Sequence, residues 1–369
     1  MRFPGFEEEW EVKKLGEIGE VVNGLTYNPD NIDDSGILVL RSSNVQNRIV
    51  TLKDNVFVKT EKFNPVKEND ILICVRNGSK NLIGKNAIIK KENEGLAFGA
   101  FMTVFRSPYN KFIFQWFDTK QYKEIVNKNL GATINSINGS DLKKFKIPFP
   151  CVEEQQKIYS LLSLVDHRIE LSMKIISHLQ TSIRSYREKL LSQEIRFNNE
   201  KGNNFPEWET KKIKDILKIG NGRDYKHLDV GNIPVYGTGG VITFVDSFLY
   251  DGETVCIGRK GTIDKPTYFS GKLWTVDTLF YTHSFHNSIP KFIFQLFQTV
   301  NWKEHNEASG VPSLSKNTIE NLSVTIPSIE EQTKIANFLS SIDEKIETEK
   351  NILIQYEFQK KYLLSNLFV

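Results

Sequence analysis

The sequence predicts an α+β protein made of two tandem mixed domains. Each domain is followed by one long α-helix, and the two long helices pack on each other. Three observations carry this prediction. The chain repeats internally, two segments show an unbroken heptad seam, and short β-rich runs broken by Asn- and Gly-rich turns fill the regions between them. Trp10-Glu11-Val12-Lys13-Lys14-Leu15 returns as Trp208-Glu209-Thr210-Lys211-Lys212-Ile213, an offset of 198 that also carries Asn23-Gly24 onto Asn221-Gly222. Pro150-Cys151-Val152-Glu153-Glu154-Gln155 returns as Pro327-Ser328-Ile329-Glu330-Glu331-Gln332, now at an offset of 177. The ends of the two units match and the middles mostly do not, so the 21-residue difference lies in the middles. So long a period indicates two duplicated domains rather than a solenoid.

Residues 1–150 read as the first mixed domain. Its strands are Ile37-Leu38-Val39-Leu40, Asp70-Ile71-Leu72-Ile73-Cys74-Val75 and Ala87-Ile88-Ile89. A helix of about 15 residues begins at Lys111-Phe112-Ile113-Phe114-Gln115-Trp116-Phe117 and recurs from Lys291, its aromatics spaced for a core. Residues 151–197 form the first long helix. Its seam is Ile158, Leu162, Val165, Ile169, Ser172, Ile176, Leu179, Ile183, Tyr186 and Leu190, in alternating steps of four and three. Pro150 precedes it, and Glu153 and Glu154 favour the dipole of its first turn. About 42 helical residues would span about 63 Å. The polar, Gly/Asn-rich stretch from Asn198 to Asn204 marks a domain boundary. Residues 198–327 form the second domain, with strands at Ile233–Tyr236, Thr254–Ile257 and Leu279–Tyr281. Residues 328–369 repeat the seam as Ile335, Leu339, Ile342, Ile346, Glu349, Leu353, Tyr356, Lys360, Leu363 and Leu367. Ser172 and Glu349 share one seam position, and Lys360 adds a second polar break. Matched length and matched interruption favour packing of the two helices on each other over two unrelated amphipathic helices.

Net charge is only +3, so a nucleic-acid site must come from local clustering. No run of 18 apolar residues is present, and the acidic, broken start does not read as a signal peptide. Cys74, Cys151 and Cys256 lack metal or redox spacing and read as isolated buried thiols in the reducing compartment of a cytoplasmic protein. Catalytic patterns are missing. There is no phosphate-binding Gly-x-x-x-x-Gly-Lys loop, and Gly220, Gly222, Gly237, Gly239 and Gly240 read as turn glycines. His283 and His286 lack further ligands at suitable spacing, and no Ser/His/Asp set stands out. The chain reads as a binding protein without an active site.

Candidate contacts lie on polar, glycine-rich loops at strand ends. They are Arg41, Ser42 and Asn44; Arg76, Asn77 and Lys80; Arg223; Tyr236 and Thr238; and Arg259 and Lys260. Arg76 and Arg259 read as equivalent, since each follows a strand containing Cys and precedes a glycine by two residues. Such side chains suit phosphates and major-groove base edges. They are equally the ordinary residues of polar turns.

Together these residues resemble the DNA-specificity subunit of type I restriction–modification enzymes. The resemblance covers essentially the whole chain. It rests on the two Trp frames with their Asn-Gly pairs, on Ile147-Pro148-Phe149-Pro150 and Ile326-Pro327 ahead of the Glu-Glu-Gln helix starts, and on Gly258-Arg259-Lys260-Gly261. Arg76-Asn77-Gly78 departs from that last pattern. The resemblance implies two target-recognition domains, each reading half of a split, asymmetric site on double-stranded DNA. It implies that the two helices pair as an antiparallel coiled coil, a pseudo-twofold internal repeat, and act as a ruler and docking surface. It also implies no catalytic residue, metal or cofactor in this chain. Two methylation subunits would use S-adenosylmethionine, and motor–nuclease subunits would use ATP and magnesium. The alternative is a two-domain protein-binding scaffold with a coiled-coil spacer. A nuclease acting alone lacks metal-binding acids.

Overall fold

The computed structural model describes residues 2–130 and 136–368. The chain forms two compact units. One comprises Met1–Ser172 with Ile352–Val369, and the other comprises Met173–Asn351. Unit 1 runs β1 (Glu11–Lys14), α1 (Leu15–Ile18), β2 (Glu20–Asn23), β3 (Ile32–Leu40), β4 (Val45–Gln46), β5 (Ile49–Val50), β6 (Phe57–Val58), β7 (Ile71–Cys74), β8 (Asn86–Ile88), β9 (Ala97–Phe98) and β10 (Met102–Arg106). It continues through α2 (Asn110–Trp116), α3 (Lys120–Asn129), α4 (Gly139–Lys144), β11 (Lys146–Phe149) and the long α5 (Val152–Leu191). Unit 2 runs β12 (Glu209–Lys212), α6 (Ile213–Ile216), β13 (Lys218–Asn221), β14 (Val230–Gly237), β15 (Gly240–Val245), β16 (Tyr250–Gly258), β17 (Thr267–Thr275), β18 (Leu279–His283), α7 (Pro290–Phe297), α8 (Lys316–Asn321), β19 (Ser323–Ile326) and the long α9 (Ile329–Leu367).

The sequence repeat is the frame of each unit. The Trp segment begins β1 or β12, which pairs antiparallel with the strand before the long helix, Glu11 opposite Phe149 and Glu209 opposite Ile326. Trp10 Nε1 donates to Glu154 Oε2 at 2.9 Å, and Trp208 Nε1 donates to Glu331 Oε2 at 3.1 Å. Arg2 and Arg196 each grip the same carboxylate with two nitrogens. Both glutamates are buried, so these pairings satisfy charges that burial would otherwise penalise. Gln155 and Gln332 likewise donate to the carbonyls of Pro150 and Pro327. The Asn-Gly pairs recur for a steric reason. A Cβ on Gly24 would lie 2.2 Å from the Gly99 carbonyl oxygen, and one on Gly222 would lie 1.9 Å from that of Val276.

The two middles share a topology that the sequence hides. Strands β2-β10-β7-β8 and β13-β18-β16-β17 follow the same order. The parallel pairing of β3 with β9, Leu40 opposite Phe98, matches that of β14 with β17, Tyr236 opposite Thr275. One long strand, β17, does the work that β8 and β9 divide between them, and β6 on β3 corresponds to β15 on β14. The units differ most after β3. Residues 41–56 carry the β4–β5 hairpin, whereas β14 turns into β15 through Thr238-Gly239 alone.

Both long helices are continuous, and each contributes to both units. In unit 1 the beginning of α5 packs with the end of α9: Ile158 and Leu162 share a core with Leu364 and Leu367. In unit 2 the end of α5 packs with the beginning of α9: Ile183 and Leu190 share a core with Ile335, Leu339, Ile342 and Ile346. Beginning against end in both places makes the pairing antiparallel, and it follows the heptad seam. Burial of each such aliphatic side chain contributes about 1.5–3 kcal/mol. Ile169, Ile176, Leu179 and Leu353 are half-buried in the seam, and Ser172 is buried.

Five local expectations are corrected. Cys74 and Cys256 are buried as expected, but Cys151 is exposed, just ahead of α5. The helix at Lys111 is not one piece. It breaks after Trp116, and Thr119 Oγ1 accepts the Tyr122 amide to start α3 afresh. The first long helix ends at Leu191, short of Arg196: Gln193 takes a positive φ of 62° and Ile195 N turns back onto the Lys189 carbonyl, after which Arg196 reaches Glu331. Tyr186 is 41% exposed rather than buried in the seam, and its ring lies 5.3 Å from that of Phe338, nearly perpendicular to it. Gly220 lies inside β13 rather than in a turn, where a Cβ would meet the Tyr281 ring at 2.2 Å.

Candidate nucleic-acid interface

In unit 1 the ends of three strands meet. Gly99 N donates to the Leu40 carbonyl at the end of β3, and Leu25 N donates to the Phe98 carbonyl beyond β2. The amides of Val75 and Arg76, just past β7, share the Phe101 carbonyl at 3.0 and 3.2 Å. Backbone pairing thus brings the loops at Arg41 and Arg76 side by side, and Asn77 Nδ2 donates to Ser42 Oγ at 3.1 Å. Asn77 Oδ1 accepts the Ser79 amide, which shapes the turn ahead of Lys80. Arg76 and Lys80 are exposed. The Arg76 guanidinium stands 5.8 Å from the centre of the Phe101 ring, which is itself 56% exposed.

Unit 2 builds the same corner. Val276 N donates to the Tyr236 carbonyl at the end of β14, and Arg223 N, beyond β13, donates to the Thr275 carbonyl. Arg259 N and Lys260 N share the Thr278 carbonyl at 2.8 and 3.3 Å. A Cβ on Gly261 would lie 3.6 Å from Thr238 Oγ1, so Thr238 and Gly261 are neighbours at the positions where Ser42 and Asn77 share a hydrogen bond. Gly261 has φ +86°, a backbone that favours glycine. Arg223, Arg259 and Lys260 are exposed, while Tyr236 is half-buried with its ring 4.0 Å from that of Phe269.

The geometry revises the sequence reading at three residues. Asn44 is wholly buried: its Oδ1 accepts the Arg41 amide and its Nδ2 reaches the carbonyls of Thr51 and Lys53. It shapes the loop and has nothing left to offer a ligand. Arg41 is partly committed, with Nη2 on the Asp54 carboxylate at 3.1 Å. Arg76 corresponds to Lys260 rather than Arg259. Both bridge to a serine 177 residues apart, Ser136 and Ser313, while the carbonyls of Val75 and Arg259 take the amides of Ile137 and Leu314. The two strand cysteines are therefore not counterparts.

Sequence reasoning missed two contributors. One is the aromatic face of Phe101. The other is the loop from Asn306 to Ser313, whose neck is closed by Asn306 Oδ1 accepting the amides of Ala308 and Ser313. Pro312 takes the Gly261 amide, and Val311 stands 66% exposed beside it. The recurrence of Ser136 as Ser313 was the available signal.

These corners offer exposed guanidinium, ammonium, amide and hydroxyl groups around backbone fixed by neighbouring strands. Such groups bind phosphate and base edges. Among the described residues no group of three His, Cys, Asp or Glu is placed to hold a metal, and no helix is long and apolar enough to cross a membrane.

A family model described as the type I restriction modification DNA specificity domain matches twice, at residues 7–181 and 206–357. The chain belongs to this family of DNA specificity domains. Its relatives include the type I restriction enzyme MjaVIII specificity subunit of Methanocaldococcus jannaschii, 24% identical over 98% of this chain and 92% of the relative. The EcoKI specificity subunit of Escherichia coli K12 is 29% identical over 43% of this chain and 37% of its own. The crystal structure of the type I restriction–modification S subunit from M. genitalium superposes with a TM-score of 0.70 at 20% identity, covering 100% of this chain and 97% of that one. A solved chain described under complex assembly and conformational transition of the type I R-M system has a TM-score of 0.53 at 12% identity, covering 98% of each. Each matched segment of this DNA specificity family ends within one of the long helices, so the family unit includes a corner and its helix together.

Proposed function

We propose that this chain is the sequence-specific DNA-binding subunit of a type I restriction–modification complex and itself performs no catalysis. Each unit reads one half of a bipartite, asymmetric site, and the shared helices serve as spacer and docking surface. Two methylation subunits bring S-adenosylmethionine, and motor–nuclease subunits bring ATP and magnesium. One observation supports this reading above the others. The same strand-end corner is built twice and carries different side chains: Arg41, Ser42, Arg76 and Asn77 in one unit, against Gly237, Thr238, Lys260 and Gly261 at the matching positions in the other. A conserved frame with two different readers suits a split site whose halves differ. Base edges are read by a few side chains held at fixed register, and phosphate contacts set that register. Adenine must leave the stack to be methylated, so the reader delivers DNA to a partner's active site. A genome-wide N6-methyladenine map with and without the chain tests the reading. Loss of one split motif is expected; an unchanged map would overturn it.

A further inference from the structure

The polar break that the sequence shows at Lys360 is a buried junction in unit 1. Lys360 Nζ lies 2.5 Å from Asp118 Oδ2 and 2.6 Å from Asp166 Oδ1, with its side chain 9% exposed. Asp166 belongs to α5, and its other oxygen accepts from Gln115 Nε2 of α2 at 2.8 Å. Asp118, just past α2, also faces Arg48 Nε at 3.5 Å and Lys123 at 3.7 Å. Arg48 continues the chain of contacts. Its guanidinium lies 3.8 Å from the Phe114 ring centre and donates to the Phe114 carbonyl and to Asn86 Oδ1. Arg48 and Asn47 hold positive φ, 64° and 48°, in the turn of the β4–β5 hairpin. That hairpin leads directly from Asn44, whose side chain fixes the Arg41 amide. Side-chain contacts therefore run from the helix pair to Arg48, and the main chain of the β4–β5 hairpin carries the remaining step to the reading loop at Arg41 and Ser42.

Unit 2 lacks this junction. The seam position 177 before Lys360 is Ile183, a buried core residue, and the residue matching Asp118 is Gln298, which donates to the Pro266 carbonyl. The glutamine–aspartate part persists, as Gln295 on Asp343 at 3.2 Å, and its cation comes from another position, Arg187, whose Nε donates to Gln295 Oε1 and whose charge favours the Asp343 carboxylate. The hairpin that carries Arg48 is also confined to unit 1. An apolar residue is thus sufficient for packing at this slot, and exchanging a buried ion pair for well-packed apolar side chains is often neutral for stability. The junction has a use other than cohesion.

We propose that Lys360, acting through Asp118 and Arg48, is a positioning residue that indexes the reading loop of unit 1 to the helix pair and so sets readout of one DNA half-site. This rests on the reading of unit 1 as a half-site reader. The test uses the full chain assembled with its methylation subunits and a duplex library randomised through both half-sites and the spacer. Arg76→Ala first identifies the half-site that belongs to unit 1. The variant Lys360→Ile with Asp118→Gln places the unit 2 residues Ile183 and Gln298 at the matching positions of unit 1. Assayed well below its thermal midpoint, which the loss of these pairs lowers, it is expected to keep the second half-site's preference while losing about tenfold in base discrimination at the first half-site, or accepting spacers one base pair longer or shorter; coupling of that size is ordinary for packed polar networks. Lys360→Arg is expected to restore the wild-type pattern. Unchanged discrimination and spacing would overturn the proposal, as would equal losses at both half-sites, which mark general destabilisation. If the wild-type complex methylates without sequence preference, the half-site reading itself fails and the proposal falls with it.

Discussion

Replacing Glu331 with Ala removes the carboxylate that closes the frame of unit 2. Glu331 is fully buried and accepts Arg196 Nε at 3.1 Å, Arg196 Nη2 at 2.9 Å and Trp208 Nε1 at 3.1 Å. Removing one partner of a buried ion pair costs about 3–5 kcal/mol because the other charge is left uncompensated. Arg196 retains 21% side-chain exposure and can recover some hydration, which places the cost near the lower bound, about 3 kcal/mol. For a unit of this size that corresponds to a fall of about 6–12 °C in Tm. Glu331→Gln keeps one acceptor and should lose about half as much. Hydrogen exchange resolved along the chain, with calorimetry alongside, reads the effect. Protection should fall across β12 and β19 and remain in β1 and β11. Glu154→Ala should do the reverse. A loss under about 1 kcal/mol, the scale of an exposed pair, or equal loss in both units would refute the assignment of this triad as a local frame clamp.

Ile346→Asp places a charge in the buried seam of unit 2. It should cost several kcal/mol, measurable as an early calorimetric transition, whereas Asp at half-buried Ile169 should cost less. Asn44→Ala leaves the Arg41 amide and two carbonyls without their partner; a loss of about 2 kcal/mol in chemical denaturation is expected, and a stability equal to wild type would contradict its buried role. Lys80→Ala should weaken DNA binding by the assembled complex for all sequences and lower the salt slope by about 1, while Arg76→Ala should relax preference at one half-site. Burial alone would raise the Asp118 carboxyl, but the Arg48 and Lys360 charges outweigh it and hold it at about 2. A lowered folded value means that this group stabilises above the ordinary carboxylate range. Its contribution, on the order of 2 kcal/mol, should be lost as pH falls from about 5 toward 2. A Lys360→Met variant should flatten that part of an acid-denaturation profile, and an unchanged profile would contradict the pairing.

What the sequence made legible was whatever the fold repeats. Trp10 and Trp208, Glu154 and Glu331, and the two Asn-Gly pairs stand out because the frame clamps and close backbone approaches need those residue types twice. The seam was legible because knobs and holes impose a fixed period. The common topology of the middles was not. Strand order is set by backbone pairing, which many sequences satisfy, so β17 resembles β8 and β9 in pairing while sharing little with them in residues. The corners were half legible. Strand ends and glycines located the loops, yet composition could not distinguish Asn44, consumed inside its loop, from Arg76, held out beside Phe101. Register misled as well. Cysteine position suggested Arg259 as the counterpart of Arg76, and the bridges to Ser136 and Ser313 give Lys260.

The central claim is that one chain reads two different half-sites with two separable units. Its most direct test is to replace residues 213–325 with the corresponding segment of another family member and map N6-methyladenine in cells that supply the methylation partner. One half of the recognised motif should change while the other half is retained. A map in which both halves change, or neither does, would contradict the claim.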